Sequence, residues 1–134
     1  MGRNMTGNDG TRWGWRLVVR VVLAVYWSAL FVLTHLPVPP SLPDVEDADK
    51  IAHFGAYAIL ACLLALSRPL THRAAGAAVW MVGILALYAA VDELLQTPVG
   101  RECEFWDWVA DVAGVVAGLA LFRAAQRVRS RAAE

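Results

Sequence analysis

Apolar residues run through the chain in four long blocks, each about the length that crosses a bilayer. Leu17–Leu36 is nearly continuous apolar sequence. As a helix rising 1.5 Å per residue it spans about 30 Å, the thickness of the hydrocarbon layer. The pattern predicts a second helix over Asp47–Leu66, a third over Ala74–Leu95 and a fourth over Trp106–Phe122. Polar punctuation separates them. Pro37–Asp49 carries four prolines and several acids, which keep it extended. Ser67–Arg73 is a tight turn and Thr97–Phe105 a polar turn with Pro98 and Gly100. Met1–Arg16 reads as a loose cytoplasmic tail, and the basic tail 123–134 as a surface continuation of the fourth helix. The expected fold is all-α: an integral-membrane four-helix bundle over residues 17–122.

Composition strengthens this reading. Of 134 residues, 58% are hydrophobic and 18% charged, whereas soluble domains are about 45–50% apolar and about 25% charged. So small a chain buries too little of its surface to hide that excess in water. The apolar stretch at the N-terminal end lacks a small-residue cleavage site, as expected of an anchor rather than a removed signal peptide. Cys62, within a hydrophobic block, and Cys103, in a polar connection, are not expected to pair. No basic face suited to nucleic acid is visible.

Charge then sets an orientation. Arginines flank the first helix (Arg3, Arg12, Arg16, Arg20), sit in the second connection (Arg68, Arg73) and crowd the C-terminal tail (Arg123, Arg127, Arg129, Arg131). Four crossings put these regions on one side, which the positive-inside rule makes cytoplasmic. The expected topology is N-in/C-in. Trp106 and Trp108 fit an aromatic belt at the opposite surface.

Ionisable residues gather at that opposite surface, at the ends of the last three helices. Asp49, His53 and Tyr57 recur every four residues and share one face of the second helix, with Lys50 beside them. The third helix ends in Asp92, Glu93 and Gln96, and the turn after it carries Arg101. The fourth helix carries Asp107 and Asp111. Charge facing lipid is costly, so these faces are expected to turn inward. Ala110, Gly114 and Gly118 continue the acidic stripe, and small residues at this spacing let helices approach closely. Asp49, Asp92, Glu93, Asp107 and Asp111 outnumber Lys50, Arg101 and His53. Some carboxylates are then neutral, since burial disfavours charge, or face water, or hold a divalent cation through their oxygens. The sequence leaves these three open.

Asp49-Lys50-Ile51-Ala52-His53-Phe54-Gly55-Ala56-Tyr57 resembles the "DK-x-x-H-F-x-x-Y" signature of the VanZ-like family. Asp92-Glu93-Leu94-Leu95-Gln96, Gly100-Arg101, Asp107 and Asp111-Val112-Ala113-Gly114 resemble its second signature. The resemblance covers 49–118. The turn from Gln96 to Arg101 is a residue shorter than the common form, Asp111 stands where Asn is frequent, and Glu102-Cys103-Glu104 replaces a serine after Gly-Arg. The resemblance implies a multi-pass protein of the bacterial cytoplasmic membrane and cell envelope. The family's namesake is associated with low-level resistance to the glycopeptide teicoplanin.

Two functions follow as expectations. In the first, the outer cluster binds a polar or anionic headgroup, from a membrane lipid or a cell-wall precursor. In the second, the protein is an enzyme acting on a lipid-linked substrate, by acid/base or divalent-metal chemistry. No G-x-S-x-G, HExxH or phosphate loop occurs. A through-path for transport is disfavoured in a monomer, because the inner halves offer little beyond Ser28 and Cys62; an oligomer could still form one.

Overall fold

The computed structural model describes residues 9–36, 46–68, 74–99 and 103–133. They form four α-helices: α1 (Asp9–Thr34), α2 (Glu46–Ser67), α3 (Ala74–Gln96) and α4 (Phe105–Arg131), with one 3-10 turn, Thr97–Val99, after α3. No strand occurs among the described residues. All four helices are long and apolar enough to cross a membrane.

One expected boundary shifts by more than a turn. α1 begins at Asp9, eight residues before Leu17, so half of the expected loose tail is helical. No proline interrupts this stretch, and a helix already nucleated by its apolar span propagates at little further cost. α4 runs without a break to Arg131, the expected continuation into the basic tail, through the good helix formers Arg123-Ala124-Ala125-Gln126-Arg127. α1 ends where Thr34 Oγ1 donates to Phe31 O at 3.0 Å and His35 Nδ1 lies 2.7 Å from the same carbonyl. Pro37 follows in the sequence and cannot continue a helix.

Polarity is distributed as a lipid solvent requires. Large apolar side chains point outward, among them Val25, Val79, Leu87, Leu94 and Leu121. The interior holds Thr34, His53, Ser67, Asp92, Glu93, Gln96, Asp107 and Asp111 alongside its apolar core. In water this arrangement would expose a large apolar surface. In hydrocarbon it is the low-energy one, because ionisable groups must turn to the bundle interior.

α2 and α4 form the most extensive helix pair, although α3 separates them in the chain. They run parallel. A methyl group on Gly114 would strike the carbonyl of Phe54, and one on Gly118 would strike the carbonyl of Ala58. Cys62 Sγ, one turn further, donates to Gly118 O at 3.2 Å. The stripe Phe54, Ala58, Cys62 therefore lies along Gly114 and Gly118, the close approach that small residues permit. Ala110, at the head of the stripe, is half-buried.

α1 and α3 flank this pair. Tyr26 OH donates to Ala56 O at 3.0 Å, fastening α1 to α2. Trp108 Nε1 donates to Ala86 O at 3.0 Å, fastening α4 to α3. Trp108 thus differs from the expected belt residue: its N–H is spent on a helix carbonyl, whereas Trp106 remains exposed. Trp27 and Tyr88 meet edge to face with centroids 5.1 Å apart, and Tyr88 lies 6.0 Å from Tyr57. The core between them contains Leu30, Leu60, Leu85 and Val115. Both cysteines are free.

The glycine seam makes a specific prediction. Gly114→Ala and Gly118→Ala should each destabilise the bundle by about 1–3 kcal/mol, the usual cost of overpacking. Gly83→Ala, where an added methyl meets nothing within 4 Å, should be neutral or gain up to about 1 kcal/mol of helix propensity. Reversible unfolding in mixed detergent micelles distinguishes the two groups.

Candidate functional site

The end of α1, the start of α2, the end of α3 and the start of α4 converge at one end of the bundle. His53 lies at the centre. It is carried on the first turns of α2, next to Phe54, whose carbonyl meets Gly114. Asp111 sits one turn before Gly114 on α4. The glycine seam therefore sets the distance between them, and His53 Nδ1 hydrogen-bonds Asp111 Oδ1 at 3.0 Å. His53 is 7% exposed and Asp111 1%.

α3 supplies the second carboxylate. Glu93 Oε1 lies 3.9 Å from His53 Nδ1 and accepts a hydrogen bond from Gln96 Nε2 at 3.1 Å. Glu93 and Gln96 are both buried. The spacing of three residues makes that bond local to the last turn of α3. On its other side, His53 Nε2 lies 4.0 Å from Asp49 Oδ1, one turn back on α2, where Asp49 is exposed. Asp107, at the start of α4, is buried and brings a carboxylate oxygen close to His53 and Asp49.

Asp92 faces a different neighbour. Tyr88 OH donates to Asp92 Oδ1 at 3.3 Å, and His35 Nδ1 lies 3.9 Å from the same oxygen. Thr34 Oγ1 lies 3.1 Å from that imidazole nitrogen. Thr34 and His35 were not among the residues expected from the sequence, which assigned the cluster to three helices. Their signal was available: in an antiparallel bundle the C-terminal end of the first helix emerges beside the N-terminal end of the second. The cluster is built from four helices.

The remaining expected residues divide. Lys50 Nζ lies 3.7 Å from Glu104 Oε2 in a half-exposed pair, worth at most about 1 kcal/mol at such exposure. Tyr57 is fully buried against Tyr88, one turn deeper than His53. Arg101 and Gly100 lie outside the described residues.

Among the described residues, four buried polar atoms in this region lack a hydrogen-bond partner: His35 Nε2, Tyr57 Oη, Glu93 Oε2 and Asp107 Oδ1. Buried polar groups are nearly always satisfied, so this concentration at one end of the bundle marks the region chemically. Beside it, between α1 and α2, lies a cleft of about 230 Å³. Its walls are Leu30, Leu33, Thr34, Asp49, Ala52, His53, Ala56 and Tyr57. One end is polar and the rest apolar.

Fold and site together define a small multi-pass helical membrane protein with a buried polar cluster where its four helices emerge. The chain belongs to the VanZ/LLP1 family, whose family model matches residues 9–126. Neither a curated protein nor a solved structure matches it significantly.

His53 and Asp111 should be energetically coupled. Removing one partner of a buried hydrogen bond leaves the other unsatisfied, at a cost of about 1–3 kcal/mol. A double-mutant cycle with His53→Ala and Asp111→Ala, measured by detergent unfolding with chelator present, should give a coupling of about 1–3 kcal/mol. The same cycle between His53→Ala and Glu104→Ala should give none beyond error.

Proposed function

We propose that this VanZ/LLP1 protein binds an amphiphile at the extracytoplasmic surface of the bacterial cytoplasmic membrane, with the polar headgroup at the His53 end of the α1–α2 cleft. The supporting observation is the cleft itself. Its apolar wall, from Leu30, Leu33, Ala52 and Ala56, suits an acyl or prenyl chain. His53, Asp49, Thr34 and Tyr57 at its polar end suit a headgroup rich in hydroxyl or phosphate oxygens. Among the described residues Tyr57 Oη has no hydrogen-bond partner, so a ligand oxygen that reached it would satisfy a buried hydroxyl. Lys50, which pairs with Glu104, and Arg101, outside the described residues, are the cations the sequence offers an anionic headgroup. Arg101 suits planar, bidentate contact in a way that lysine cannot reproduce.

The orientation is part of this proposal. Arginines mark the opposite end of the bundle, at Arg16 and Arg20 on α1, Arg68 after α2, and Arg123, Arg127, Arg129 and Arg131 on α4. The positive-inside rule places that end in the cytoplasm and the His53 end outside. Headgroups on the outer leaflet include those of cell-wall precursors, which gives a physical route to the glycopeptide resistance associated with the family's namesake.

A second reading is catalytic. His53 has Asp111 on one ring nitrogen and faces Asp49, another wall residue of the cleft, with the other. A carboxylate on one nitrogen fixes the imidazole for proton transfer at the other. Turnover of a lipid-linked substrate by purified protein, lost in His53→Gln, would select this reading over simple binding.

Two measurements test the binding proposal. A membrane-impermeant maleimide added to intact spheroplasts should label the exposed Cys103 and leave Cys62, within the span, unmodified. Labelling of Cys103 only after lysis would invert the topology. Native mass spectrometry of protein extracted in mild detergent should find a retained amphiphile. Ala52→Trp, which fills the cleft from its rim, should reduce retention at least about tenfold, equivalent to about 1.4 kcal/mol. Equal retention by the two proteins would remove the cleft from the binding site.

A further inference from the structure

We propose that His53, Glu93 and Asp111 form a binding site for a divalent first-row metal ion. The site goes beyond the headgroup reading and does not depend on it.

The three residues come from three helices, and all are buried. His53 Nδ1 and one oxygen from each carboxylate lie within 4.8 Å of one another. Metal–ligand bonds to imidazole nitrogen and carboxylate oxygen are about 2.1 Å long, so ligand atoms on a shared ion stand about 3.0–3.4 Å apart when adjacent and about 4.2 Å when opposite. The observed separations from His53 Nδ1 are 3.0 Å to Asp111 and 3.9 Å to Glu93. The first matches adjacent ligands on one ion, and the second exceeds an adjacent pair by about 0.5 Å, a gap that rotation of the Glu93 side chain can close.

A second observation points to a ligand. Glu93, a member of the triad, is 3% exposed, yet its Oε2 has no hydrogen-bond partner among the described residues. A buried carboxylate oxygen left unpaired beside an imidazole is poorly explained by packing. A dication held by the same carboxylate would bring positive charge to that oxygen.

The surroundings resemble the outer shell of a metal site. Gln96 Nε2 donates to Glu93 Oε1 and orients that carboxylate. Asp49 lies 4.0 Å from His53 Nε2, the side of the ring on which an outer-shell carboxylate of a metal-bound imidazole stands. Asp49 and Asp107 also form a second group with His53 whose ligand atoms lie within 4.8 Å. Asp49 is exposed, so the fully buried triad is the tighter candidate.

One imidazole and two carboxylates suit Mn2+ or Zn2+ better than soft ions, which prefer thiolate. On binding, the metal replaces the proton on His53 Nδ1. The His53–Asp111 hydrogen bond becomes two metal–ligand bonds, and the proton leaves to solvent, so affinity should rise with pH.

The test uses tag-free, full-length protein in detergent, in a Cys103→Ser background that removes the exposed thiol. After chelator treatment and dialysis, Mn2+ binding is followed by the loss of the free-ion electron paramagnetic resonance signal, and Zn2+ by elemental analysis. About one ion per chain is expected. Asp111→Asn and Glu93→Gln should each weaken binding by more than the 10–100-fold that loss of an outer-shell partner costs. His53→Gln should abolish it, and Glu104→Gln should not affect it. Helical circular dichroism and a monodisperse elution profile confirm that each variant is folded. If a triad variant is misfolded, Gln96→Ala serves instead and should weaken binding about 10–100-fold. Failure of the parent to retain either ion, or unchanged affinity in folded triad variants, would overturn the proposal. An amphiphile retained by metal-free protein would leave the headgroup reading standing while the metal site fails.

Discussion

The approach of α2 to α4 is the constraint on which the rest depends. At Gly114 and Gly118 the α4 backbone lies so close to the carbonyls of Phe54 and Ala58 that no side chain fits between. Helices in lipid gain little from apolar burial against one another and associate through close van der Waals contact and hydrogen bonds. The glycine seam supplies the first, and Cys62 Sγ to Gly118 O adds one of the second. His53 is the residue before Phe54, and Asp111 is one turn before Gly114. The 3.0 Å contact between them is therefore a consequence of the seam, not a separate arrangement. A bulkier residue on the stripe would open the pair and with it the centre of the polar cluster.

The outer helices are held differently. α1 meets α2 through Tyr26 to Ala56, and α3 meets α4 through Ala86 and Trp108. Each is a long-range bond from an aromatic side chain to a helix carbonyl that already serves its own helix. Such bonds fix register without requiring small residues at the contact. The looser fit leaves room between α1 and α2 for the cleft, with Leu33 and Ala52 exposed near its rim. Close packing thus holds the buried ionisable residues at the α2–α4 seam, with the α1–α2 cleft beside them.

Much of this was legible in the linear sequence. The four crossings follow from the length and apolar content of four blocks. A bilayer leaves a backbone in such a block no alternative to a helix or a closed barrel. The candidate site was largely legible too, because ionisable residues are rare in apolar blocks and stand out against them. His53, Asp92, Glu93, Gln96, Asp107 and Asp111 were identifiable in that way, and the resemblance of 49–118 to a known family pointed to the same residues. Thr34 and His35 were missed because they adjoin the proline-rich connection, where polar residues are ordinary.

Which helices touch was decided only in three dimensions. The stripe Ala110, Gly114, Gly118 announces a close contact but carries no address, since small residues also occur on α2 and α3. The fold pairs it with α2, runs the two in parallel, and leaves α2 and α3 scarcely in contact although they are neighbours in the chain. That pairing selects Asp111 over Asp92 as the partner of His53, while Asp92 faces His35 at the end of α1 and Trp108 turns inward to Ala86. Hydropathy and spacing are properties of one segment at a time, so the sequence by itself determined the segments and their polar ends. The pairing energy is a sum over contacts between segments, and only the assembled bundle evaluates that sum.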